Sequence, residues 1–115
     1  MRDRGPFRLT VRHGPKVAKA RFATLDEAVD ALEVQLDAIV PGARRKEIDL
    51  RVRQFDPAQQ IVARGEISGP GGTRGGVDLR GDASSEAYTG RLSRQAVDPA
   101  RGETAFDALR RVLRG

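Results

Sequence analysis

The sequence predicts an α+β fold: an antiparallel sheet of about six strands, in the order β-β-α-β-β-β-β-α, with two amphipathic helices packed on one face. Three observations lead there. Apolar and polar residues alternate with a period of two over several short segments. Apolar residues recur at three- and four-residue spacing behind two helix-start signals. Most neighbouring strands are joined by turns short enough for hairpins, which favours antiparallel pairing.

Phe7-Arg8-Leu9-Thr10-Val11-Arg12 alternates as a strand with one buried face, His13-Gly14-Pro15 turns the chain, and Lys16 to Phe22 returns. Thr24-Leu25-Asp26-Glu27 is a capping box, because the Thr24 hydroxyl can accept from the Glu27 amide while the Glu27 carboxylate reaches back. The helix it opens runs to about Val40, where Pro41-Gly42 stops it. Leu25, Ala28, Val29, Leu32, Leu36 and Ile39 form its apolar stripe, and Asp26, Asp30, Glu33 and Asp37 an outward acidic strip. Glu47 to Phe55 alternates again, Asp56-Pro57-Ala58 turns, and Ile61 to Ile67 is the partner strand.

Residues 68–76 read as a flexible glycine-rich loop, followed by a short strand Val77–Arg80, a turn at Gly81-Asp82 in which glycine supplies positive φ, and a strand from Ala87 to Gln95. Gly102-Glu103-Thr104 opens a last helix with Phe106, Leu109, Val112 and Leu113 as its stripe. Strand-turn-strand-helix thus occurs twice, over Phe7–Val40 and Val77–Leu113, as a repeat of shape without matching residues.

The chain of 115 residues fits a single domain, 1–115, with fraying expected at 1–5 and 115. No apolar run approaches the roughly 20 residues a membrane helix needs, and the start MRDRGPFRLTV lacks the core of a signal peptide, so the expected address is the cytoplasm with no membrane partner. Cysteine is absent, which excludes disulfides and thiolate chemistry and removes the usual zinc ligands.

The glycine-rich stretch ISGPGGTRGGVDLRGD fits neither phosphate-loop pattern: no lysine follows its glycines, Arg74 stands where a dinucleotide fold needs glycine, and no helix begins after it. Arg80-Gly81-Asp82 is better read as turn chemistry than as an adhesion tripeptide. His13 is the only histidine and sits at a hairpin tip. Ser68, Ser84, Ser85 and Ser93 have no base placed beside them by any motif. A metal would need carboxylates alone, and an acidic helix strip is ordinarily a solvated face. The expectation is a non-enzymatic protein with no metal or cofactor.

Net charge is +5 with a pI near 10.6, and Lys16, Lys19 and Lys46 are the only lysines among 21 basic residues, the other 18 being arginine. Where those charges fall is more informative than their total. If Phe7, Leu9, Val11, Ala18, Ala20, Phe22, Ile48, Leu50, Val52, Ile61, Ala63, Ile67, Val77, Leu79, Tyr88 and Leu92 face the helices, the period-two rule sends Arg8, Arg12, Lys19, Arg21, Arg51, Arg53, Arg64, Arg80 and Arg91 to the opposite face, diluted by Asp49, Glu66 and Asp78. Arginine forks match phosphate and carboxylate oxygens. Such a face would hold a nucleic-acid backbone, in structured RNA, duplex DNA or the ribosome. The alternatives are a solvated face held by cross-strand ion pairs, and a self-associating adaptor that binds acidic protein surfaces. Only Phe55 is an aromatic on that face, too little for a stacking reader of single strands.

Overall fold

A computed structural model describes residues 5–52, 60–90 and 94–114, the stretch 40–52 by its backbone. Fraying at 1–4 and 115, the Asp56-Pro57-Ala58 turn, and Arg53, Phe55, Arg91 and Leu92 lie outside the described residues. The elements run β1 (Phe7–His13), β2 (Lys16–Phe22), α1 (Leu25–Val52), β3 (Ile61–Ser68), β4 (Arg74–Arg80), β5 (Ser85–Thr89), β6 (Gln95–Val97) and α2 (Ala105–Arg114). The six strands form one sheet in the order β2-β1-β3-β4-β5-β6, every neighbouring pair antiparallel. The fold is the expected α+β type.

Its parts are redistributed. No strand covers 47–52: α1 continues through Pro41-Gly42 to Val52. Pro41 forfeits one backbone hydrogen bond. Ala43, Arg44, Arg45, Lys46 and Glu47 are strong helix formers that offset it. The count of six survives because the strand expected from Ala87 to Gln95 breaks at Gly90, whose φ of 104° is open to glycine alone, leaving β5 and β6. The expected loop 68–76 shrinks as well. β4 begins at Arg74, and residues 69–73 close a tight connection in which the Thr73 hydroxyl donates to the Pro70 carbonyl (2.9 Å) and the Gly69 amide to that of Thr73 (3.0 Å). At the β4–β5 turn Asp82 accepts from the Ser84 amide (2.9 Å), while the positive φ of 71° falls on Ala83, not Gly81.

Two hairpin-plus-helix units, β1-β2-α1 and β5-β6-α2, flank the central β3–β4 hairpin, so the second unit begins at β5 instead of Val77. Each helix leaves an edge strand and folds back over the same face. Leu9, Leu32, Leu36, Ile67, Leu79 and Leu109, all under 2 % exposed, meet there in one core. Burial contributes about 1.5–3 kcal/mol for each such side chain, against about 1 kcal/mol for a helix cap. The caps set where the helices start. Glu27 N donates to Thr24 Oγ1 (3.2 Å) and Asp107 N to Thr104 Oγ1 (3.1 Å), and the Asp107 carboxylate accepts in return from Thr104 N (3.2 Å).

The acidic strip of α1 is not simply a solvated face. Arg110 of α2 pairs with Asp30, lies 3.6 Å from Asp26 and 4.0 Å from Glu33, and Arg114 pairs with Asp26. Charge of opposite sign on the two helices therefore fixes α2 alongside α1, and the described helices include none long and apolar enough to cross a membrane.

Candidate anion-binding face

Strand register arranges the face away from the helices as three rows. In the first, Arg21 of β2 stands opposite Arg8 of β1, Arg8 opposite Ser68 of β3, and Ser68 opposite Arg74 of β4. The second runs Lys19, Thr10, Glu66, Gly76, Tyr88, and the third Val17, Arg12, Arg64, Asp78, Glu86. Around the β1–β2 side these rows line an open hollow of about 680 Å³, walled by Arg8, Arg12, Lys19, Arg21, Arg64, Arg74 and Arg94, with Glu66 as the one carboxylate among its described residues.

The two halves of the face differ in electrostatics. Towards β4 and β5 the cations are paired. Asp78, only 6 % exposed, accepts from Arg64 Nε (2.5 Å) and Nη2 (3.3 Å), and this pairing holds the guanidinium above its already high ordinary pKa. Arg74 Nη2 donates to Glu66 Oε1 (2.7 Å) and Arg80 Nη2 to Glu86 Oε1 (2.9 Å). Towards β2 they are not: Arg8, Arg12, Lys19 and Arg21 are exposed, as is Arg94 just before β6, and among the described residues none of these five has a carboxylate within ion-pair distance. Arg8 directly faces Arg21, and Arg12 faces Arg64. Like charges directly opposite on a ladder destabilise it by up to about 1 kcal/mol. Among the described residues the ladder offers Arg8 and Arg21 no counter-charge, whereas Arg64 has Asp78.

Of the nine cations expected here, Arg8, Arg12, Lys19, Arg21 and Arg64 line the hollow. Arg80 lies on the same face at the end of β4, outside it, and Arg53 and Arg91 fall outside the described residues. Arg51 is corrected: it belongs to α1, not to a strand of this face. Arg74 and Arg94 line the hollow without having been expected. Extending the alternation of β4 two steps back through Gly76 places Arg74 correctly, and the glycines had disguised it as loop.

Tyr88 is corrected too. It points away from the helices, where its hydroxyl donates to Glu66 Oε2 (3.2 Å) and the Arg94 guanidinium lies 4.5 Å from the ring centroid, Arg64 5.8 Å. Ala87 faces the core instead, on the strand that α2 covers. A close helix leaves room for alanine and none for a phenol. At 4 % exposure the ring is no free stacking platform.

Burial, reinforced by the Glu66 charge and opposed by Arg94, pushes the Tyr88 phenol from its ordinary 10.0 up to about 12. Tyr88 is the only tyrosine and tryptophan is absent, so alkaline ultraviolet difference absorbance follows this ring alone. The expected midpoint is about 12, falling when Glu66 is changed to Gln. Because folding favours the protonated phenol, its share of stability is intact below pH 10 and lost between 10 and about 12. A native midpoint at 10 would contradict the enclosure of the ring.

His13 ends β1 opposite Lys16, Ser84 is tied to Asp82, and the described residues bring no three potential metal ligands together. No protein-family model, curated protein or solved structure matches the chain.

Proposed function

We propose that this protein is a non-enzymatic binding module that holds the sugar-phosphate backbone of structured RNA or duplex DNA on its arginine-rich sheet face. The observation that carries the reading is the uncompensated pair Arg8 and Arg21, set side by side at the hollow with three further unpaired cations around them. An anionic ligand supplies the charge that the ladder lacks. Arginine forks suit phosphate oxygens, and a Tyr88 ring closed off by Arg94 favours a ligand read by backbone and shape over stacked single-stranded bases. The alternative, an adaptor that sets its acidic helix against the arginine face of another copy, is weighed down by Arg110 and Arg114, which already engage that strip within the chain.

The test is fluorescence anisotropy with hairpin RNA, duplex DNA and heparin over a range of salt. Five free cations predict a slope of log K on log salt of about −4.5 on duplex DNA, and changing Arg8, Arg12 and Arg21 together to Ser should remove about 2.7 of it and weaken binding at least tenfold. Equal binding of all three polyanions, vanishing at physiological salt, would overturn the reading.

A further inference from the structure

We infer that the first row of the face, Arg21, Arg8, Ser68 and Arg74, is a site for a terminal phosphomonoester, so that the module engages a phosphorylated end of a nucleic-acid strand. This rests on the nucleic-acid reading above.

The four residues lie in direct register on four consecutive strands, β2, β1, β3 and β4, and all line the same hollow. At about 4.8 Å per strand the row is about 14 Å across, and its two unpaired members, Arg21 and Arg8, are immediate neighbours. A backbone diester carries one charge and leaves two free oxygens. A terminal phosphate carries about −1.5 to −2 at pH 7 and offers three. Three arginines with the neighbouring Glu66, which holds Arg74 at 2.7 Å, leave a local charge of +2. The Ser68 hydroxyl adds a neutral donor between Arg8 and Arg74. Dianion and row thus match in charge and in number of donors, as no other row does: the second includes Glu66 and a single lysine, and in the third Asp78 already occupies Arg64. The occupant is a strand end and not a small phosphate, because the cationic surface continues past the row through Lys19, Arg12 and Arg94, where the following phosphodiesters can lie.

The experiment compares two blunt duplexes of one sequence, one with 5′-phosphates and one with 5′-hydroxyls, each labelled internally, binding the full chain at about 0.15 M salt. The expected result is roughly tenfold tighter binding of the phosphorylated duplex, the gap given by one charge-assisted contact set. Arg8→Ser and Arg21→Ser should each abolish the gap, while Arg12→Ser should weaken both duplexes and leave the gap intact. Circular dichroism of these exposed-site variants checks that the fold is retained. Equal affinity for the two duplexes would overturn the end-phosphate site and leave the backbone reading standing; binding of neither would overturn both.

Discussion

Replacing Gly76 by alanine is expected to cost about 3 kcal/mol or more, a large share of the 5–15 kcal/mol that holds a domain of this size. Gly76 is buried in the middle of the sheet, paired with Glu66 on one side and Tyr88 on the other. A Cβ there would collide with the Gly65 carbonyl oxygen and lie 2.7 Å from Tyr88 Oη and 2.9 Å from Cζ. The tyrosine could swing out only by giving up Glu66 and its cover by Arg94. The carbonyl belongs to the backbone of β3 and can retreat only if the β3–β4 ladder opens. Gly71→Ala is the control: with φ at 69° and nothing within 4 Å, it should cost about 1 kcal/mol from backbone conformation alone. Urea unfolding of both variants measures the difference. Equal losses would mean that the sheet is not drawn together at Gly76 as described.

That tight centre marks where the sequence stopped being readable. Alternation along Phe7–Arg12, Ala63–Ile67 and Val77–Arg80 sorted core from surface correctly because each segment has one face against the helices, and a period of two follows directly from the pleat. Ile61, expected to face the helices, is exposed instead, because a register shift between Ile61 and Ala63 sets it opposite Arg80 while Val62 packs against the core. Thr24 announced α1 because capping is a local exchange between residues three apart. The errors share a physical origin. Ile48, Leu50 and Val52 alternate, yet Ile48 and Val52 are also four apart, so a six-residue pattern fits a helix turn as well as a strand. The orientation of Tyr88 depends on how near α2 comes to β5, which no residue of β5 encodes. Pairing of Asp26 and Asp30 with arginines some 80 positions away is likewise invisible to a local pattern. For the candidate site the arginines of β1 and β2 were legible. Their lack of partners was not, since it depends on which strands become neighbours.

Asp78→Asn is the variant in which stability and binding should move in opposite directions. Asp78 is nearly enclosed and exists in that state because Arg64 donates to both of its oxygens. Asparagine keeps the shape and one acceptor but removes the charge, leaving Arg64 unopposed and directly across from Arg12. Breaking a fully buried pair costs about 3–5 kcal/mol. The Arg64 side chain keeps 30 % of its exposure, so water recovers part of the loss and about 2 kcal/mol is expected. On the ligand side the change liberates a cation that already lines the hollow. Duplex binding should therefore tighten, and its salt slope should steepen by about 0.9. Urea unfolding and salt-dependent anisotropy on the same preparation separate the two effects. Loss of stability with unchanged affinity would place the ligand away from Arg64 and so away from the hollow. A less stable protein that binds more tightly has a different meaning: Asp78 serves the fold by neutralising a charge the ligand would otherwise use, and Arg8, Arg12 and Arg21, which no carboxylate among the described residues neutralises, are the ones left for it.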